Sequence, residues 1–426
     1  MDGNKVMDSL TVKTGFRTLE ADAKKGFLLN GEPYRLRGVN VTQDRAMVGT
    51  ALTIYQVEED FRLIRDMGAN AVRIMGVAHH PYFYELCDRE GIIVWSDFPL
   101  VGAAYLTDLA FVDTHEFRSN GQKQASEIMA QQFNNPAVAM WGVFSRLRPR
   151  GDNPADYISQ LNMVAKRDGG GRLTVAASNT DGDINFITDL ILWAHHFGWR
   201  EGRPEDIGVW SKQIHAQWPQ LKSAVGYSAG ASILHQGEEL ERPDPRGNWH
   251  PERWQTHLHE KYMGIIGNDP GFWGIFVGNM FDYGAAGRTW GEGNGINDHG
   301  LVTFDRKYCK DAYYLYKALW NKEDKFIYIA EKRWDRRRDR KQSIRVYTNC
   351  DEVELRVNGQ PVSSCGSKDG VMVWDVALQT GAHYIEARHG SIMDAALIAV
   401  GKVFPDRTRM SHATWGGKPS EGLHAG

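Results

Sequence analysis

Val57-Glu58-Glu59-Asp60-Phe61-Arg62-Leu63-Ile64-Arg65-Asp66-Met67 runs straight into Gly68-Ala69-Asn70-Ala71-Val72-Arg73-Ile74-Met75. In the first part apolar residues recur at helical spacing (Val57, Phe61, Ile64); the second is a short apolar run of strand type. The same alternation extends in both directions. Candidate strands are Arg37–Asn40, Ala71–Met75, Ile92–Ser96, Val138–Val143, Leu173–Ala177, Leu190–Trp193, Ser223–Tyr227 and Trp273–Val277. Helices at Val57–Met67 and Phe117–Gln132, and one opened by Asn153-Pro154 that carries Tyr157 and Leu161, fall between them. Eight strands alternating with helices predict an α/β fold, a closed (β/α)8 TIM barrel over residues 30–325, rather than an open sheet.

After Trp320 the texture changes. Short alternating strands at Ile344–Thr348, Glu352–Val357, Val371–Val376 and His383–Arg388 predict a small β-sandwich over residues 326–404. Asn358-Gly359 and Asp369-Gly370 read as hairpin turns. The charged run from Glu331 to Arg338 is expected to be a solvated linker face, because acidic residues interrupt it. Residues 405–426, rich in Gly, Ser and His, read as a flexible tail, and residues 1–29 as a β-strand lead-in to the barrel.

Composition excludes several classes of function. With 426 residues, a formal net charge of -3 and 24% charged residues, nothing marks nucleic acid or an anionic membrane as a partner. No apolar stretch reaches the roughly 20 residues that span a bilayer. The N-terminus lacks the basic-then-apolar layout of a secretory signal, so a cytoplasmic location is expected for the chain as written, although a longer precursor could have been exported. The four cysteines, Cys87, Cys309, Cys350 and Cys365, form no C-x-x-C pair and read as reduced thiols. No cofactor or metal is expected.

Almost the whole chain resembles glycoside hydrolase family 2, the β-galactosidase, β-glucuronidase and β-mannosidase group. The motifs that carry the resemblance are Thr14-Gly15-Phe16-Arg17, Gly26-Phe27-Leu28-Leu29-Asn30-Gly31, Leu36-Arg37-Gly38-Val39-Asn40 and Pro81-Tyr82-Phe83-Tyr84-Glu85-Leu86-Cys87-Asp88. Asn279-Met280-Phe281-Asp282, Gly300-Leu301-Val302-Thr303 and Asp311-Ala312-Tyr313-Tyr314 continue it. The C-terminal segment, with Asn349-Cys350-Asp351-Glu352-Val353-Glu354-Leu355, looks like the immunoglobulin-like modules that follow such barrels.

The resemblance implies retaining hydrolysis by two glutamates, an acid/base in an Asn-Glu pair after strand four and a nucleophile before Tyr-Gly-Ala on strand seven. Such chemistry needs carboxyl groups roughly 5 Å apart. Here the first motif reads Met140-Trp141-Gly142-Val143-Phe144-Ser145-Arg146, and the second places Gly226 before Tyr227. An arginine does not donate its proton usefully near neutral pH, and glycine has no nucleophile. Other family positions carry Thr42, Gly76, Ala194, His196 and Gly278, mostly exchanges of large residues for small ones at strand ends. They predict an enlarged mouth, in either a designed pocket or a strongly diverged paralogue.

The remaining polar groups supply the candidate residues. Asp97 is the candidate general base, with Arg146, Tyr227 or His196 stabilising charge. Asn40, Arg73, Trp199, His195, Asn179, Ser145, Gly226 and Gly278 are candidate ligand contacts. Three functions follow as expectations: a repurposed barrel binding a small organic ligand and transferring protons through Asp97, a non-catalytic carbohydrate-binding relative, or a residual β-glycosidase using other carboxylates. In each case the partner is a small molecule, a sugar or an aromatic compound.

Overall fold

The computed structural model describes residues 7–100, 111–147, 151–366 and 369–401. The expected flexible tail lies outside the described residues. Strands β1 (Leu19–Asp22), β2 (Gly26–Leu29) and β3 (Glu32–Pro33) form a small antiparallel sheet. It seats Phe27 on Leu36, Trp273 and Phe276 at the start of the barrel strands.

The barrel alternates β4 (Leu36–Val41), α1 (Ile54–Asp66), β5 (Ala71–Ile74), α2 (Pro81–Glu90), β6 (Ile93–Asp97), α3 (His115–Gln131), β7 (Val138–Ser145), α4 (Ala155–Asp168), β8 (Leu173–Ser178), β9 (Leu190–Trp193), α5 (Asp206–Gln217), β10 (Ser223–Tyr227), α6 (Glu252–Ile266) and β11 (Phe272–Val277). All eight expected strands are present, and β11 closes onto β4 in a fully parallel ring, with Ile275 opposite Arg37. Helix α1 begins ahead of the expected Val57 because Thr53 and Gln56 form a reciprocal capping box. Thr114 caps α3 through its hydroxyl alone, which accepts from Phe117 N–H at 3.1 Å.

Strand parity decides what reaches the interior. Ala71, Trp95, Leu190, Leu192, Ala224 and Phe276 fill the barrel, while Val72, Val94, Ile191, Trp193, Val225 and Tyr227 face the helices. Gly38 permits a close contact inside the barrel, since a Cβ there would stand 2.4 Å from the Phe276 ring. By the same alternation Asn40, Arg73, Asp97, His196, Gly226 and Gly278 belong to the inward set.

Beyond β11 come the short pair β12 (Tyr283–Gly284) and β13 (Ile296–Asn297), then α7 (Asp311–Trp320). The C-terminal sandwich pairs β14 (Ile327–Ile329), β16 (Lys341–Thr348) and β19 (Val371–Ala377) in one sheet. The other holds β15 (Arg336–Arg337), β21 (Ile392–Val400), β20 (Gly381–His389), β17 (Glu352–Val357) and β18 (Gln360–Gly366). Asn358 and Gly359, at φ of 53° and 78°, make the expected two-residue hairpin between β17 and β18. Asp369-Gly370 does not close a hairpin, because β18 and β19 belong to different sheets. The four cysteines are free thiols.

The charged run is not a solvated face. Arg337 is buried, and Arg333 bridges Glu252 at the start of α6 (2.8 Å) and Asp311 at the start of α7 (2.9 Å). It joins the sandwich to the barrel, because two buried carboxylates there need a cation.

Candidate functional site

At the C-terminal mouth of the barrel the polar set is built around Arg73 on β5. Its guanidinium donates to Asp97 Oδ2 through Nε (3.0 Å) and Nη2 (2.7 Å), and to Ser145 Oγ at 2.8 Å. It also lies 4.2 Å over the Trp95 ring. Asp97 is 2% exposed; burial pushes its carboxyl up, opposed by the adjacent Arg73 charge. Its other oxygen lies against Gly142, where a Cβ would sit 1.9 Å from Oδ1 and 2.3 Å from Trp95 Nε1. One carboxyl oxygen thus holds Arg73, and the other, Oδ1, is buried with no hydrogen-bond partner among the described residues.

Arg146 follows β7 in a left-handed conformation (φ 45°), pinned by its N–H to Ala177 O at 2.7 Å. Burial lowers its guanidinium pKa, with Tyr283, Arg73 and Asp97 as its titratable neighbours. Asp97 is taken by Arg73, and among the described residues no carboxylate lies within ion-pair distance of Arg146. His196 enters the mouth from the end of β9. Burial, then Arg200, Arg146 and His195, hold its pKa well below the usual range, so the ring is neutral. Its Nδ1 accepts the Ser228 N–H at 3.3 Å, and its Nε2 is buried with no partner among the described residues.

Asn40, half-buried on β4, has an unpartnered Oδ1, and its Nδ2 stands 3.0 Å from where a Gly278 Cβ would be. Gly226 faces inward, but the space its side chain would take holds Leu192, whose Cδ2 is 2.6 Å from the Cβ position. The expected enlargement at Gly226 is thus absent, because a neighbouring leucine has moved into the gap.

Four other candidates leave the site. Tyr227 points outward into the helix layer, its hydroxyl 2.6 Å from that of Tyr316 and its ring 4.3 Å from Tyr262. His195 is stacked between Trp193 and Phe197 and meets Glu201 at 3.3 Å, outside the barrel. Trp199 is 1% exposed, with its ring edge-on to His250 and His299, so it is a wall and not a stacking platform. Asn179 is exposed just past β8, and among the described residues no hydrogen bond or ion pair ties it to the others.

Sequence reasoning missed Arg200, Ser228, Arg288, Asp298 and His299. Arg200, an exposed residue whose N–H donates to His196 O at 2.9 Å, has its guanidinium pKa lowered by partial desolvation and by the nearby Arg146, Arg288 and Arg246. Ser228 Oγ meets His299 Nδ1 at 2.9 Å. Asp298 joins His250 (2.6 Å) and Arg288 (3.0 Å). Burial works to raise its carboxyl, yet the His250 hydrogen bond and the surrounding cations hold it below the ordinary value. Position at strand C-terminal ends was the available signal. Among the described residues no group of three or more His, Cys, Asp or Glu could hold a metal ion, and no helix is long and apolar enough to cross a membrane.

Residues 21–322 match the glycosyl hydrolases family 2, TIM barrel domain, and residues 339–391 match a domain of unknown function. A β-glucuronidase of Bacteroides fragilis is 44% identical over 393 residues, covering 90% of this chain and 56% of the relative. Human β-glucuronidase is 29% identical over 273 residues, 60% of this chain and 39% of the relative. Among solved structures, the FMN-binding β-glucuronidase of Facaelibacterium prausnitzii L2-6 superposes with a TM-score of 0.85 at 30% identity, covering 92% of this chain and 60% of that one. The chain thus spans little more than half the length of the Bacteroides fragilis relative.

Proposed function

The chain belongs to glycoside hydrolase family 2, and from that premise we propose that its barrel mouth binds a carbohydrate without cleaving the glycosidic bond. One observation carries this reading: Arg146 and Gly226 occupy the motif positions at which the family resemblance implies the acid/base and the nucleophile. Double displacement needs two carboxyl groups roughly 5 Å apart across the mouth. Among the described residues, Asp97 is paired with Arg73, and Asp298 is committed to His250 and Arg288. What is left at the mouth can bind: Asn40 with an open amide oxygen, His196 with a ring nitrogen to spare, and Arg146. Proton transfer through Asp97 is the weaker form of the reading, given that ion pair.

The rival reading, a working β-glucuronidase that recruits carboxylates elsewhere, draws support from the 44% identity to the Bacteroides fragilis enzyme. Titration calorimetry with a panel of hexoses, hexuronic acids and their glycosides, followed by chromatography of the cell contents, separates the two. Saturable heat with every glycoside recovered intact is the expected result. Cleaved glycoside in the cell, or no heat with any sugar, would overturn the proposal.

A further inference from the structure

At the end of β10 a hydroxyl and an imidazole meet. Ser228 directly follows that strand and shares the inward parity of Gly226. Where the Tyr-Gly-Ala motif has its glycine, this chain carries that hydroxyl. Its Oγ lies 2.9 Å from His299 Nδ1. Both residues are held by their backbones: Ser228 N–H donates to His196 Nδ1 at 3.3 Å, and His299 N–H donates to Asn297 Oδ1 at 3.1 Å. Trp199 braces the His299 ring edge-on, with centroids 5.4 Å apart and planes at 89°. Burial, then the Arg288 and Arg200 charges, holds the His299 pKa well below the usual range, so the ring is neutral.

Gly278 leaves room beside this pair. A Cβ there would stand 3.0 Å from Asn40 Nδ2 and 3.4 Å from Ser228 Cβ, so its missing side chain leaves a gap between the Asn40 amide and the serine. An oxygen entering that gap meets an amide donor on one side and Ser228 on the other. Two orphaned polar atoms belong to the same surroundings. Asn40 Oδ1 and His196 Nε2 are buried with no partner among the described residues, which is uncommon unless a ligand completes the set.

We propose that Ser228 and His299 are the nucleophile and base of an esterase that removes an O-acyl group from the sugar held in the mouth. The inference rests on the reading of the mouth as a carbohydrate site and adds a reaction to it. With its ring proton on Nε2, His299 accepts the Ser228 O–H at Nδ1. Ser228 Oγ bonds to the ester carbonyl carbon as its proton passes to Nδ1. The Asn40 amide donates to the oxyanion, whose charge offsets the new imidazolium. The bond from carbonyl carbon to sugar oxygen then breaks, and that oxygen takes the proton from His299. Water adds to the acyl-serine by the same route, releasing the carboxylic acid and restoring the Ser228 hydroxyl. Among the described residues no carboxylate is hydrogen-bonded to the His299 ring, so the unit is a dyad, oriented by Trp199 and the backbone.

The test combines mass spectrometry after exposure to a fluorophosphonate with acetate release from acetylated methyl glycosides of glucose, galactose and xylose. 4-Nitrophenyl acetate serves as the sugar-free ester. The expected result is an adduct on Ser228 and acetate from at least one acetylated sugar. Both should vanish in Ser228→Ala and slow about 100-fold or more in His299→Gln, each variant confirmed folded by its melting curve. An unlabelled Ser228 in the unaltered protein, or acetate release undiminished in Ser228→Ala, would overturn the dyad; heat from sugar binding would then leave the carbohydrate site standing. Turnover of 4-nitrophenyl acetate through Ser228 with every acetylated sugar intact would support the dyad and contradict the carbohydrate site.

Discussion

At the scale of single residues, the mouth is governed by which charges are already matched. Asp97 and Arg73 are both almost fully buried, and removing one partner strands the other in the barrel interior. Asp97→Asn should therefore cost about 3–5 kcal/mol in urea unfolding. An unchanged midpoint would mean that the carboxylate is a free functional acid after all. Tyr227→Phe gives the complementary test: losing the hydroxyl contact with Tyr316 should cost about 1 kcal/mol and leave sugar affinity unaltered. A drop in affinity would put the hydroxyl back in the mouth. Both residues were visible in the sequence as strand-end candidates, but only one faces inward. Neighbouring residues of a strand point to opposite faces, so Gly226 and Tyr227, or His196 and His195, cannot both line one cavity. The motif located the strand end and left its parity undetermined.

Among the elements, the eight barrel strands were legible because each is an apolar run buried on both faces. Strand β18 was not, since Gln360–Gly366 is mostly exposed and carries no apolar alternation. Strand β21 was missed for the opposite reason: its Ala-, Leu- and Ile-rich run reads as helix as readily as strand. Closely spaced strands also set which glycines tolerate a side chain. Gly142→Ala meets the fixed carboxylate of Asp97 and the Trp95 indole, whereas Gly226→Ala meets only the end of the mobile Leu192 side chain. The first should destabilise by about 2–3 kcal/mol and the second by about 1 kcal/mol in the same unfolding assay. The reverse order would refute the placement of Leu192. That residue also bears on rescue: glutamates introduced together as Arg146→Glu and Gly226→Glu should stay inactive on β-glycosides until Leu192→Ala clears the space. Turnover by the double variant alone would contradict this.

For the whole molecule, the sandwich is locked to the barrel through Arg333, between Glu252 and Asp311. Burial, with the Asp311 charge next, pushes the Glu252 carboxyl up to about 7. The folded protein thus keeps a proton that the unfolded chain has released, and this group's contribution to stability falls as pH rises from roughly 5 to 7. Glu252→Gln should flatten the dependence of melting temperature on pH across that window; an unchanged slope would show that the carboxyl is already ionised there. The same body holds a glycoside hydrolase family 2 barrel, whose mouth on the proposed reading binds a sugar without cleaving its glycosidic bond. The most direct test is the release of 4-nitrophenol from 4-nitrophenyl β-D-glucuronide by the purified chain at saturating substrate. No release above the buffer rate is expected; sustained release proportional to protein concentration, and lost on heat denaturation, would contradict the central claim.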